Sequence, residues 1–211
     1  MEANIHLIDD DEPFRKAVSR MLRAAGYGVE TYASAGDFML SHSGEDPACL
    51  LLDIQMPGPS GLELQTALAT RGKSIPVIFL TGHATIDLTV RAMKAGAIDL
   101  LTKPVNKEQI LNAVARALAL HRQERALRTE LDHWKKCLES LTPRQYQVFA
   151  SLVKGKLNKQ MAADLGISER TIKAHRAQVM EKMKVESVAQ LVSIYYQVQF
   201  STEKRPVAAP K

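Results

Sequence analysis

The chain has 211 residues, 28 Lys+Arg against 23 Asp+Glu, and a net charge of +5. That length fits one large or two small domains, and no apolar run nears the roughly 20 residues of a membrane span. The charge divides unevenly: residues 1–119 hold 11 bases and 14 acids, a net −3, and the rest hold 17 bases and 9 acids, a net +8. An acidic half joined to a basic half points to a signalling or catalytic module tethered to a nucleic-acid binder.

Ile5–Asp9 predicts a first strand, and Pro13 sits in the first turn of a helix that Gly26 ends. Gly28–Tyr32 reads as strand two, and Ser34 caps a short helix through Phe38 and Met39. Ala48–Leu52 is a continuous apolar run that ends in Asp53. Such a run suits a strand buried on both faces of a parallel sheet, and Pro57 and Gly58 stop it. Ser60 caps the next helix, which carries Leu62, Leu64 and Leu68. Strand four runs from Val77 to Thr81, a helix spans about Thr85–Ala95, and strand five ends near Thr102, before Lys103-Pro104. The alternation predicts an α/β fold: a five-stranded, doubly wound parallel sheet, by analogy in the order 2-1-3-4-5.

A long helix is expected from about Asn106, with Ile110, Val114, Ala117 and Leu118 inward. Leu127, Leu131, Trp134, Leu138 and Leu141 then recur at heptad-like steps, which fits a helical linker packed on a neighbouring domain better than a dimerising helix. Thr142, Pro143 and Gln145 form a capping box that restarts the chain. Asn158 caps a further helix, Gly166-Ile167-Ser168 is a tight turn, and a helix of about Glu169–Lys184 follows. Two helices around a short Gly-containing turn are a helix-turn-helix signature. A fourth helix follows with Val188, Leu191, Val192 and Tyr195 as its apolar residues, and the tail after about Ser201, residues 201–211, reads as disordered.

The chemistry gathers at strand ends. Asp9, Asp10 and Asp11 cluster after strand one, and like charges repel unless a cation lies among them. Oxygen-only ligands fit Mg²⁺. Asp53, Thr81 and Lys103 add a nucleophilic carboxylate, a hydroxyl and an ammonium, a set that can neutralise a phosphoryl group in transfer. In the helix after the tight turn, Ile172, Val179 and Met183 share one face with His175 at its edge. Arg170, Ala174 and Ala177 lie opposite, flanked by Lys173 and Gln178. Small and basic residues on an exposed helix suit close approach to phosphates and base edges in a major groove.

The series Asp9-Asp10, Asp53, Thr81, Lys103-Pro104 resembles the receiver domain of bacterial two-component response regulators. The resemblance implies that Asp53 accepts a phosphoryl group from a sensor histidine kinase. It implies Mg²⁺ on Asp10, Asp53 and the Gln55 carbonyl, with Asp9 acting through water. Thr81 and Lys103 would bind phosphoryl oxygens, and Lys103-Pro104 would be cis. Residues 141–194 resemble the LuxR/NarL/FixJ class of DNA-binding domains through Leu141-Thr142-Pro143-Arg144, Asn158-Lys159, Ile167-Ser168, Thr171-Ile172-Lys173, His175 and Lys182-Met183. Gln145 and Gln147 stand where that class usually has glutamate.

The division that follows is a receiver over 1–119, a helical linker over 120–139, a helix-turn-helix domain over 140–200 and the tail. Lys173 and Ala177 are expected to face bases, and Arg170, Thr171 and His175 phosphates. Asn158, Lys159, Ala174 and Gln178 complete the DNA-contacting set. The expected partners are the kinase, double-stranded promoter DNA, RNA polymerase, and a second copy of the chain once phosphorylated. No membrane partner is expected. Cys49 and Cys137 form no metal-type pair, and no basic n-region of a signal peptide opens the chain, so a cytoplasmic location is expected.

Two rivals remain at this stage. Asp9-Asp10-Asp11 also reads as the Asp-x-Asp opening of haloacid-dehalogenase-type phosphatases, with Asp9 as nucleophile and Asp11 as acid. Glu12-Pro13 in place of Gly-Thr, and the lack of a later paired-acid motif, weigh against it. The other rival is a receiver that does not switch. Receivers commonly place an aromatic three residues before the lysine, where this chain has Leu100, the expected partner of Thr81 in switching.

Overall fold

The computed structural model describes residues 4–41, 48–72 and 75–203, in two compact units divided between Glu124 and Arg125. In the first unit, β1 (Asn4–Ile8), β2 (Gly28–Tyr32), β3 (Cys49–Asp53), β4 (Val77–Thr81) and β5 (Asp99–Thr102) form one sheet. Its order is β2-β1-β3-β4-β5 and every pairing is parallel, as the alternation predicts. Every residue of β3 and β4 is buried, which explains their unbroken apolar sequence. The edge strand β5 is only partly covered.

Successive side chains of each strand enter opposite cores. On one face Ile5, Leu7, Leu51, Ile78 and Leu80 meet Val18 and Leu22 of α1 (Glu12–Ala24) and Ile110 and Val114 of α5 (Lys107–Glu139). On the other, Ile8, Leu50, Leu52 and Phe79 meet α2 (Ala35–Ser41), α3 (Gly61–Thr70) and α4 (Ile86–Lys94) through Phe38, Leu64, Leu68 and Ala92. Asp11, Ser60 and Thr85 accept backbone N–H groups at the starts of α1, α3 and α4, so each helix begins where its strand-end loop closes.

The second unit holds the end of α5 with α6 (Pro143–Val153), α7 (Asn158–Leu165), α8 (Glu169–Lys182) and α9 (Val188–Glu203). The Thr142–Gln145 capping box is present, and Ser168 caps α8. Gly166 takes φ +65° at the end of α7, a left-handed turn that an L side chain adopts only with strain. Ile172 and Val179 of α8 and Met183 at its C-terminal cap are fully buried with Val148, Phe149, Met161 and Leu191. Of the heptad-like stripe, Trp134, Leu138 and Leu141 pack into this core, while Leu127 is 53% exposed. The stripe therefore serves as packing at its C-terminal end.

Three details differ from the sequence reading. Asn158 is the first residue of α7, and Leu157 takes the cap position. The Asn158 Oδ1 accepts from Arg176 Nη1 instead, and Gln160 Oε1 accepts the Leu157 N–H. Cys137, read as an ordinary helix residue, is buried in the core of the second unit. The stretch read as a tail at 201–211 opens inside α9, which continues through Glu203; residues 204–211 lie outside the described residues.

Candidate functional site

In a parallel sheet all carboxyl ends lie on one edge, and here they bring the acids and the lysine together. Asp9 follows β1, Asp53 ends β3, Thr81 ends β4 and Lys103 follows β5. The register sets Ile8 beside Leu52, Asp53 beside Leu80 and Thr81 beside Thr102, so the four groups are level. Asp9 and Thr81 are fully buried and Asp53 nearly so. Asp10 is exposed, and one carboxylate oxygen from each of Asp9, Asp10 and Asp53 lies within 4.8 Å of the others.

Lys103 Nζ sits 2.7 Å from Asp53 Oδ2 and 2.7 Å from Asp9 Oδ2. It lies 4.3 Å above the Phe14 ring, an added attraction for a cation. Asp53 Oδ1 accepts the Gln55 N–H at 2.9 Å, and Asp9 Oδ1 accepts the Asp11 N–H at 3.0 Å. The Arg15 guanidinium donates to the Asp9 carbonyl. Thr81 Oγ1 donates to the His83 carbonyl and accepts the His83 N–H, both at 3.2 Å. The Lys103-Pro104 bond is cis, and the Lys103 N–H donates to the Thr81 carbonyl at 2.7 Å. Leu100 packs partly buried against the core beside α4.

Burial pushes the Asp9 carboxyl up, and the Asp53 charge adds to that, against the pull of Lys103. Burial works against the Lys103 ammonium, yet hydrogen bonds and charges from Asp53 and Asp9 hold its pKa above the usual lysine value. Two carboxylates thus share one ammonium, and the third, Asp10, lies beside them without touching it. Asp9 Oδ2 is buried and, beyond its ion pair, receives no directed hydrogen bond. An all-oxygen donor set with excess negative charge and an under-satisfied buried oxygen fits a hard divalent cation such as Mg²⁺.

Sequence reasoning missed four contributors to these sites. Phe14 and Arg15 follow Pro13 into the first turn of α1, where apolar and basic residues carry no special signal. Gly61 is a third: a Cβ there would lie 2.3 Å from the Asp53 carbonyl oxygen. The fourth is Gln145, read only as a cap. It also bonds Gln178 and Lys182 of α8, partners far off in sequence.

The second candidate site is the outer face of α8. Arg170, Thr171, Lys173, Ala174, Ala177 and Gln178 are exposed, as is Lys159 on α7. Asn158 and His175 are half-buried. The Thr171 hydroxyl lies 2.9 Å from the Ser168 hydroxyl, so it contributes to the cap of α8. Asp11, the acid of the phosphatase reading, accepts the Phe14 N–H and so caps α1.

Residues 5–115 match the response regulator receiver domain, and residues 139–195 match the luxR family of bacterial regulatory proteins. The chain belongs to the response regulators that join a receiver to a LuxR-type DNA-binding domain, and it is a transcriptional regulator of that class. It is 41% identical over 199 residues to the response regulator protein TodT of Pseudomonas putida, covering 94% of this chain and 88% of TodT. It is 39% identical to the transcriptional regulatory protein FixJ of Azorhizobium caulinodans, covering 89% of each. Among solved structures, the response regulator StyR matches with a TM-score of 0.84 at 40% identity, covering 93% of this chain and all of that one. No helix among the described residues is long and apolar enough to cross a membrane.

Proposed function

We propose that Asp53 accepts a phosphoryl group from a sensor histidine kinase and that the phosphorylated chain pairs with a second copy and binds promoter DNA more tightly. The observation that carries this reading is the Asp53 carboxylate at a strand end, 2.7 Å from Lys103 Nζ and grouped with Asp9 and Asp10. An Asp53 oxygen attacks phosphorus, the bond from phosphorus to the donor nitrogen breaks, and an acyl phosphate forms. Lys103 Nζ exchanges its Asp53 contact for a phosphoryl oxygen, and the Thr81 hydroxyl leaves His83 to bind another. Asp9, Asp10, Asp53 and the Gln55 carbonyl would hold Mg²⁺, which supplies charge neutralisation for the phosphoryl oxygens.

Movement of Thr81 opens room beside Leu100, which relays the change toward α4 and β5. In this reading the chain's own chemistry is limited to gaining and losing that phosphate. Residues 1–119 act as the receiver, 120–139 as the linker and 140–200 as the DNA-binding domain. Arg170, Thr171, His175, Asn158 and Lys159 position the backbone of DNA, and Lys173, Ala174, Ala177 and Gln178 meet base edges. RNA polymerase is the further partner, and the cytoplasm the location.

The test is mass measurement after treatment with acetyl phosphate and Mg²⁺. The wild-type chain gains one phosphoryl group and Asp53→Asn gains none. Equal labelling of the two would discard Asp53 as the acceptor.

A further inference from the structure

Resting on the reading of α8 as a DNA-contacting helix, we infer that Gln145 is a positioning residue that fixes which end of the Gln178 amide faces DNA. Gln145 is 6% exposed and sits at the third position of α6. Its Oε1 is 2.9 Å from the Thr142 N–H and 2.8 Å from Lys182 Nζ. Both neighbours can only donate, because a backbone N–H and an ammonium carry no acceptor. The oxygen of Gln145 must face them, and its amide nitrogen must face the other way. That nitrogen lies 3.1 Å from the Gln178 side chain. Gln145 Nε2 is a donor, so Gln178 has to meet it with Oε1. The Gln178 Nε2, on an exposed residue, is left pointing outward with two N–H donors.

The consequence is chemical selectivity. A free glutamine reads adenine by accepting from N6 and donating to N7 together. With its oxygen turned inward onto Gln145, Gln178 presents only its N–H donors outward. It therefore suits edges that present acceptors, such as guanine O6 and N7, thymine O4 or a phosphate oxygen, and it is denied the two-point contact to adenine.

Residue 145 is where the LuxR/NarL/FixJ class usually carries glutamate. A glutamate there keeps Oε1 for Thr142 and Lys182 but offers a second acceptor to Gln178. The Gln178 amide would then turn over, donate inward and present its oxygen outward. Gln145 thus sets the donor character of α8 without touching DNA.

The experiment uses the full chain and a pool of duplexes with randomised bases, treated with acetyl phosphate and Mg²⁺. Four proteins are compared: wild type, Gln145→Glu, Gln178→Ala and the double variant. Thermal unfolding verifies that each is folded. In the wild type and Gln145→Glu, hydrogen exchange of the Gln178 side-chain amide by NMR reports its orientation without DNA. The expected results are slower exchange of that amide in Gln145→Glu than in the wild type. One base-pair position should change its preference by at least about fivefold, toward cytosine or adenine, whose exocyclic amines donate. In the Gln178→Ala background Gln145→Glu should change nothing at that position. A Gln178 amide that exchanges alike in both proteins overturns the inference, as does a preference change that persists without Gln178. Failure of the wild type to select any sequence would instead count against α8 as the reading helix, and the exchange measurement would still decide the orientation.

Discussion

Lys103 is paired with two buried carboxylates at once, Asp9 and Asp53. It is the one cation within 4 Å of the Asp9 and Asp53 carboxylates among the described residues. Asp10, exposed at the rim of the cluster, adds a third carboxylate that the lysine does not touch. In the proposed site a divalent ion would rely on Asp10 for direct charge, so Asp10→Ala should weaken Mg²⁺ binding by at least about tenfold in calorimetric titration. Undiminished affinity would remove Asp10 from the ligand set. Cys49 shows the opposite environment. Apolar burial in β3 pushes its thiol up to about 12. A thiol held neutral and inaccessible is a poor nucleophile, so iodoacetamide at pH 8 should label Cys49 only after unfolding. Above the ordinary thiol value of 9.0 the unfolded chain loses this proton and the folded chain keeps it. Cys49 therefore makes stability fall as pH rises from 9.0 toward about 12, by up to about 1.4 kcal/mol per pH unit.

At the scale of elements, the strand-to-helix connection after β3 is set by close backbone approach. The Gly61 N–H donates to the Ile54 carbonyl at 3.1 Å, and Gly61 lies against the Asp53 carbonyl. The obstacle at 2.3 Å from an added Cβ is backbone oxygen, which cannot rotate aside. Gly61→Ala should lower stability by about 1–3 kcal/mol in urea unfolding and slow phosphorylation of Asp53, because the strand end must shift. Unchanged stability and rate would show that α3 yields instead.

The strands and most helix starts were legible because each depends on a local pattern. β3 and β4 are unbroken apolar runs, and Ser34, Ser60, Thr142 and Ser168 each precede their helix and accept an N–H in its first turn. Where a residue answers to a distant partner, the local pattern misleads. Asn158 has the chemistry of a cap but bonds Arg176, 18 residues on, and Cys137 turns inward because the end of α5 packs on the second unit's core. The strand-end acids, Thr81 and Lys103 could be read from sequence as a set. Gly61, Phe14 and the Gln145–Gln178 bond could not, since each acts through proximity that only folding creates.

In the whole molecule one 33-residue helix, α5, joins an acidic receiver to a basic DNA-binding unit. In the proposed function, phosphate on Asp53 would add charge and acceptor oxygens beside Thr81 and Lys103, and pairing of two chains would then link two DNA-binding units. Two linked units gain effective concentration on an operator with two half-sites, so affinity rises without a new contact to DNA. The most direct measurement is the binding of the full chain to genomic DNA fragments, with and without acetyl phosphate and Mg²⁺, beside Asp53→Asn under the same conditions. Tighter binding to a selected set of fragments is expected for the phosphorylated wild type only. Equal affinity of the phosphorylated and unphosphorylated wild type, with labelling of Asp53 verified by mass, would contradict it.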